Sequence, residues 1–292
     1  MEEEAVRMDL RRFDVMRVTY HLTVPITKDI FGGCLTVAHQ GKFPSTRRSM
    51  AEKDIWMEPT LDTIATMKAA FTKANSYIFD KSAWSWSLPS GYSCPGALTC
   101  LAKADQHTGK LTHGKDQEFT CYSAIYERFP SIRKRYWCNF EAVKGKPIDE
   151  VVNVLSCLPK SAGLVRIHTA GDFFSQDYFD GWIKFIQSKP NTKFYAFTKS
   201  LPLWVRRLGD IPPNFELQAS YGGKWDNLIA ENNLKYAKVV YSQSEADQAN
   251  LVIDTDDRLA AEAGGSFALL AKPRTYRKEA HAPLFQLTID GK

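Results

Sequence analysis

Four of the six cysteines in this 292-residue chain crowd into one stretch, at Cys94, Cys100, Cys121 and Cys138, with Cys34 and Cys157 outside it. Thiolates ligate zinc and iron–sulfur clusters, and clustered cysteines in a reducing compartment mean metal or redox chemistry more often than crosslinks. Cys94 and Cys100 belong to SCPGALTC, where Pro95 and Gly96 bend the loop between them. Cys121 lies in EFTCYSAIYERF, which reads as a helix start capped by Thr120 or Asp116. The spacing matches neither the paired Cys-x2-Cys of zinc fingers nor ferredoxin runs. Cys94, Cys100 and Cys121 are therefore candidate metal ligands on the strength of two loops and a helix start converging. Cys138, in RKRYWCNF, is a candidate fourth. Cys34 and Cys157 have apolar neighbours and read as packing, since a free cysteine behaves as a small hydrophobe.

The elements that position such groups begin with LVRIH (Leu164–His168), KFYAFTK (Lys193–Lys199), FELQAS (Phe215–Ser220) and KVVYS (Lys238–Ser242), four short apolar strands. Between them lie helical patterns in YFDGWIKFI, LPLWVRRLG and WDNLIAENNL, and Asp149–Leu158 supplies another helix upstream. Alternating strands and helices predict an α/β fold with a parallel sheet. The repeat suits a partial or complete βα barrel, with an open doubly wound sheet as the alternative. Thr60 precedes a further helical pattern through Leu61, Ile64, Met67 and Phe71, and a short strand is expected around Cys34. The irregular residues 1–57 read as an N-terminal extension, and 58–292 as a single α/β domain. Between Ser82 and Cys100 the chain is irregular but densely aromatic, as in loops pinned over a buried site.

Parallel sheets carry their functional groups at the carboxyl ends of strands. Those ends hold His168, Gly171 and Asp172, then Lys199, then Ser220. His168 is a candidate proton donor, Asp172 an acceptor for a bound amine, and Lys199 an anion contact. Thr169, Ser242 and Ser244 read as caps and turns. Asp254, Asp256 and Asp257 suit the start of the helix in RLAAEAGG better than a divalent ion.

Composition sets the outer limits. With 44% hydrophobic and 24% charged residues, disordered, collagen-like and coiled-coil classes are excluded. There is no apolar run long enough to span a membrane and no secretory signal in MEEEAVRMDLRRFD, so a cytoplasmic location is expected. The net charge of +5 permits a polyanionic partner without requiring one. SIRKRYW interleaves basic and aromatic residues as nucleic-acid binders do, although a solvated helix face is the commoner explanation.

Taken in order, LPSGYSCPGALTCLAKAD, FTCYSAIYERFPSIRKRYWCNF, VRIHTAGDFFSQDYFDGW, FYAFTKSLPLW, FELQASYGG and VVYSQSEA resemble the phage gene-product-88 family over residues 90–261. That resemblance implies a phage or phage-derived protein, working in the infected host cell, of unestablished activity. VRIHTAGDFFSQDYFDGWIKFIQ followed by KFYAFTKS is more distantly similar to radical SAM enzymes, where a strand ending in Gly-Gly-Glu precedes a helix. This second likeness implies a 4Fe-4S cluster on Cys94, Cys100 and Cys121, and S-adenosylmethionine held at Gly171, Asp172 and Ser220. The third cysteine is 21 residues beyond the second, and Asp replaces Glu; both depart from the radical SAM pattern. Zinc is the alternative metal. A nucleic acid or nucleotide is the first substrate to consider. A non-enzymatic protein that binds nucleic acid or a host protein, with a structural metal or none, is the competing reading.

Overall fold

The computed structural model describes residues 68–74, 77–262 and 264–271. The extension over 1–57, the strand around Cys34 and most of the helix expected from Thr60 fall outside them. The chain first lays down β1 (Thr72–Lys73), β2 (Trp84–Trp86) and a small hairpin of β3 (Ala102–Ala104) and β4 (Leu111–His113). Three helices follow: α1 (Tyr122–Tyr126), α2 (Pro130–Val143) and α3 (Ile148–Leu155). Then strand and helix alternate as β5 (Leu164–Ile167), α4 (Gln176–Gln187), β6 (Lys193–Thr198), α5 (Leu201–Val205), β7 (Phe215–Ser220) and α6 (Asn227–Glu231). The described chain ends with β8 (Tyr236–Val240), α7 (Gln243–Gln248), β9 (Ile253–Asp254), α8 (Arg258–Ala261) and β10 (Phe267–Leu270).

The main sheet has the order β1-β2-β5-β6-β7-β8-β10-β9. All its pairings are parallel except β1 with β2. The expected βα repeat is therefore present, and the aromatic stretch after Ser82 contains a strand. Trp84–Trp86 pairs in parallel with β5, so the cysteine loop leaves the carboxyl end of a sheet strand.

Alternation along the strands separates two faces. Val165, Ile167, Phe194, Ala196, Phe215, Leu217 and Ala219 join the main core with residues of α2 through α6. Its centre is aromatic: Trp86 meets Trp182 edge-on at 6.3 Å, and Phe173 meets Phe179 at 4.8 Å. Helix α4 fits because Tyr178, Phe179, Trp182, Ile183, Phe185 and Ile186 form one broad buried face, while the Ser175 side chain caps its start by accepting from Tyr178 N–H. Leu164, Tyr195, Ala237 and Phe267 look the other way, onto Ile78 and Ala83 of the β1–β2 connection and onto α8.

Two contacts join the β1–β2 connection and β5 to the turn between β9 and α8. Phe79 N–H, between β1 and β2, donates to the carbonyl of Asp256, beyond β9, at 3.0 Å. Arg166 of β5 pairs with Asp257 at 2.9 Å. Both connections lie over the second face of the sheet, where Ile78, Ala83, Ala260 and Ala261 pack on its central strands.

Candidate functional site

A cavity of about 410 Å³ lies at the carboxyl ends of the parallel strands. Cys94, Cys100 and Cys121 line it together with His168, Gly171, Asp172, Lys199 and Ser220. The structure thus brings three of the four candidate thiols and all five strand-end candidates to one place. Cys138 is not among the lining residues; it is buried on α2. Cys157 packs against the main core, as a small hydrophobe does.

The thiols feel one another. Burial raises the Cys94 pKa well above the usual thiol value, and negative charge on Asp172, Cys121 and Cys100 would raise it further. Cys100 is pushed up to about 11, mainly by burial, with Lys199 opposing and Cys121 and Asp172 adding. Each therefore prefers the neutral thiol unless a cation arrives. Gly91 N–H donates to Cys94 Sγ at 3.3 Å. Cys121 occupies the cap position of α1 itself, so neither Thr120 nor Asp116 caps that helix. Its sulfur lies 3.0 Å from Ser123 Oγ, which lies 2.9 Å from Ser90 Oγ. Ser90 N–H in turn donates to Glu127 Oε1 at 2.8 Å. Among the described residues, no three His, Cys, Asp or Glu side chains converge as ligands of one ion.

Asp172 is fixed from three sides. Oδ1 accepts from Phe173 N–H at 2.7 Å and from Thr198 Oγ–H at 2.6 Å, and Oδ2 accepts from Lys199 N–H at 2.8 Å. Burial still lifts its pKa to about 6. Gly171 has φ +85°, a left-handed turn that sets the carboxylate into the cavity wall. The Lys199 ammonium donates to Ser220 O at 2.8 Å, Ser220 Oγ at 3.1 Å and Tyr221 O at 2.5 Å. With its three protons committed, it clamps the end of β7 instead of waiting for an anion.

His168 has φ +64°, and its ring stands edge-on to Phe173 at 4.6 Å and Trp182 at 6.4 Å. Nε2 lies 2.9 Å from the Tyr178 hydroxyl. Burial drops its pKa to about 3, so the ring is neutral near pH 7 and is no ready proton donor there. Arg133 of the basic run is also committed: its guanidinium donates to the carbonyls of Gln106, His107, Glu127 and Arg128.

The profile of the gene product 88 family matches residues 56–282, which takes in the cysteine loops, every described strand and the whole cavity. The chain belongs to the gene product 88 family. Among curated relatives, the Gene 88 protein of Mycobacterium phage L5 is 28% identical over 125 residues, covering 38% of this chain and 46% of that protein. The Gene 88 protein of Mycobacterium phage D29 is 29% identical over 165 residues, covering 48% of this chain and 62% of that protein. The match spans about half the length of these gene 88 relatives. No solved structure matches the chain.

Reading the sequence misses two further polar groups, Glu127 and the Arg166–Asp257 pair. Arg166 does leave a signal, because it is the one charged residue in the apolar strand LVRI. Asp257 looks like a cap, and nothing marks Glu127 as buried.

Proposed function

We propose that the thiol-walled cavity is the working site of an iron–sulfur enzyme whose sheet curls into a partial βα barrel, and that a nucleotide or nucleic acid is its substrate. The observation that carries this reading is the convergence of Cys94, Cys100 and Cys121 on one cavity at the strand ends. The unbroken run of parallel pairings from β2 to β9 is the feature that a partial barrel shares with an open sheet.

The donor chemistry suits such a cluster, since three thiols line one cavity, but among the described residues they are not gathered as ligands of a single ion. Cys94, Cys100 and Cys121 would hold it, and three-thiolate ligation supplies one-electron chemistry with one iron open to S-adenosylmethionine. Asp172 would orient a bound amine. Three donors already occupy it, and a carboxylate has about four lone-pair sites, so one remains. Lys199 keeps Ser220 at the cavity rim, and the aromatic packing around His168 excludes water from its base.

A specific observation favours the competing reading of a binding protein without catalysis. Cys94 and Cys121 already have hydrogen-bond partners in Gly91 and Ser123, and no single-ion site is assembled. Anaerobic reconstitution with iron and sulfide separates the two. The enzyme reading expects matching iron and acid-labile sulfide, visible absorbance, and loss of both in C94S, C100S and C121S but not in C138S or C157S. Stoichiometric zinc instead assigns a structural metal. Failure to bind any metal removes the cluster.

A further inference from the structure

The junction of α1 and α2 carries rings and cations that neither the core nor the cavity uses. Tyr126 at the end of α1 is 51% exposed, and Phe129, just before α2, is 58% exposed. Arg128 stands exposed between them, and among the described residues its guanidinium has no acidic partner. Arg133, the buried member of the basic run, holds the β3–β4 hairpin against this junction through the carbonyls of Gln106, His107, Glu127 and Arg128. The approach is close: a Cβ at Gly109 would stand 3.3 Å from Arg128 Cα. Lys110, the next residue, is exposed and likewise has no acidic partner among the described residues. Across the hairpin, Lys103 Nζ lies 5.1 Å from the centre of the Tyr92 ring, which packs edge-on against Trp137 of α2 at 4.9 Å. The acid at the hairpin tip, Asp105, is engaged by its own turn, where Oδ1 accepts from His107 N–H and from the N–H and Oγ–H of Thr108.

A single exposed ring needs no explanation, but neighbouring rings left in water beside unpaired cations mark an interaction surface. Exposed rings offer faces on which bases stack, and the cations suit phosphates, which is the pairing that single-stranded nucleic acid requires. The surface also reaches the cavity: Tyr122 lines it, one helical turn before Tyr126 and on the same face of α1. We infer that a single-stranded nucleic acid lies along the hairpin and the α1–α2 junction, with bases stacked on Tyr126 and Phe129. Lys103, Lys110 and Arg128 meet its phosphates, and one end of the strand lies at the cavity mouth. This rests on the reading that the cavity acts on a nucleotide or nucleic acid, and it names a strand as the substrate class.

Fluorescence anisotropy with labelled oligothymidylate and oligouridylate, on the full chain both metal-free and reconstituted, tests the assignment. Phe129→Leu keeps the apolar bulk and removes the ring, so it should weaken binding roughly 5- to 100-fold, and Tyr126→Leu should do the same. Phe129→Tyr restores a stacking face and should bind like the natural chain. Arg128→Gln should lower the slope of log affinity against log salt by about 0.7, the value of one phosphate contact on a single strand. Lys160→Gln is the control: Lys160 is exposed before the amino end of β5, away from the cavity, and its loss should change neither quantity. The proposal fails if neither oligonucleotide binds, if the folded ring variants bind like Lys160→Gln, or if Arg128→Gln leaves the salt slope unchanged. It fails equally if a duplex binds as tightly, since paired bases offer these rings no face. An acidic peptide that displaces the strand at equal concentration would give the surface to a protein partner instead. Strand binding by the metal-free chain survives failure of the cluster. A reconstituted chain that takes mononucleotides but no strand keeps the cavity reading and loses this one.

Discussion

Thr198 Oγ lies 2.6 Å from Asp172 Oδ1, and that bond ties the carboxyl end of β6 to the loop leaving β5. The same hydroxyl accepts from Ser200 N–H at 3.0 Å, so one side chain closes two strand ends beside the cavity. Val at this position keeps the shape and removes both functions. Thr198→Val should lower stability by about 1–3 kcal/mol, the cost of leaving a buried charged acceptor short of a donor. A drop in the urea midpoint at unchanged slope would show it. An unchanged midpoint would mean that Asp172 is held without Thr198.

Glu127 gives the protein a pH dependence that one substitution should remove. Its carboxyl is fully buried, and burial raises its pKa from 4.5 to about 7, with Ser90 and Arg133 opposing. Tyr92 and Tyr136 face the same charge, and both have raised values. A raised acid favours folding while protonated. Its contribution is complete below pH 4.5 and is lost as pH rises through about 7. Glu127→Gln stays neutral throughout. Near pH 5 the variant should match the natural protein, and by pH 8 it should be more stable by about 1–3 kcal/mol. Melting curves across that range decide it; a constant difference would place the carboxylate in water.

Gly171 tests whether close approach, beyond backbone conformation, shapes the cavity wall. A Cβ there would stand 2.6 Å from both Leu88 Cβ and Ser93 Oγ, at φ +85°. Gly145 has a similar φ of +67° but nothing within 4 Å of its Cβ position. Gly145→Ala should therefore cost only the left-handed penalty, about 1–2 kcal/mol. Gly171→Ala should cost more, and the excess measures the contact with the cysteine loop. Equal losses by chemical denaturation would show that Ser93 and Leu88 simply move aside.

The central sheet was legible because β5, β6 and β7 are apolar runs separated by patterned helices, and FELQAS matches its strand residue for residue. Three-residue strands leave no such trace: Trp84–Trp86 alternates too briefly to separate from an aromatic loop. The placement of β10 between β8 and β9 is a matter of chain order, which periodicity does not encode. Within the site, residue type and strand-end position pointed to Cys94, Cys100, Cys121 and Asp172. What surrounds a side chain was hidden. The three acceptors of Lys199 come from Ser220 and Tyr221 at the end of β7, and the aromatic neighbours of His168 lie on other elements, so neither environment is written beside the residue.

The hairpin between Cys100 and Cys121 explains how thiols so far apart in sequence share a cavity, and Arg133 is the residue that fastens it. The Arg133 guanidinium bonds Gln106 and His107 at the hairpin tip and Glu127 and Arg128 at the junction of α1 and α2. Methionine retains most of the apolar stem and leaves these carbonyls without their donor. Arg133→Met should destabilise the protein by about 2–4 kcal/mol. The loss should also be local first: hydrogen exchange should accelerate in residues 102–113, including the Gly109 amide that bonds Asp105 O at 2.9 Å, before it rises in β5 to β7. With the hairpin loosened, Cys100 and Cys121 should react faster with an alkylating reagent while Cys157 keeps its rate. Uniform acceleration across all the cysteines would show instead that Arg133 stabilises the fold as a whole and does not set the spacing of the thiols.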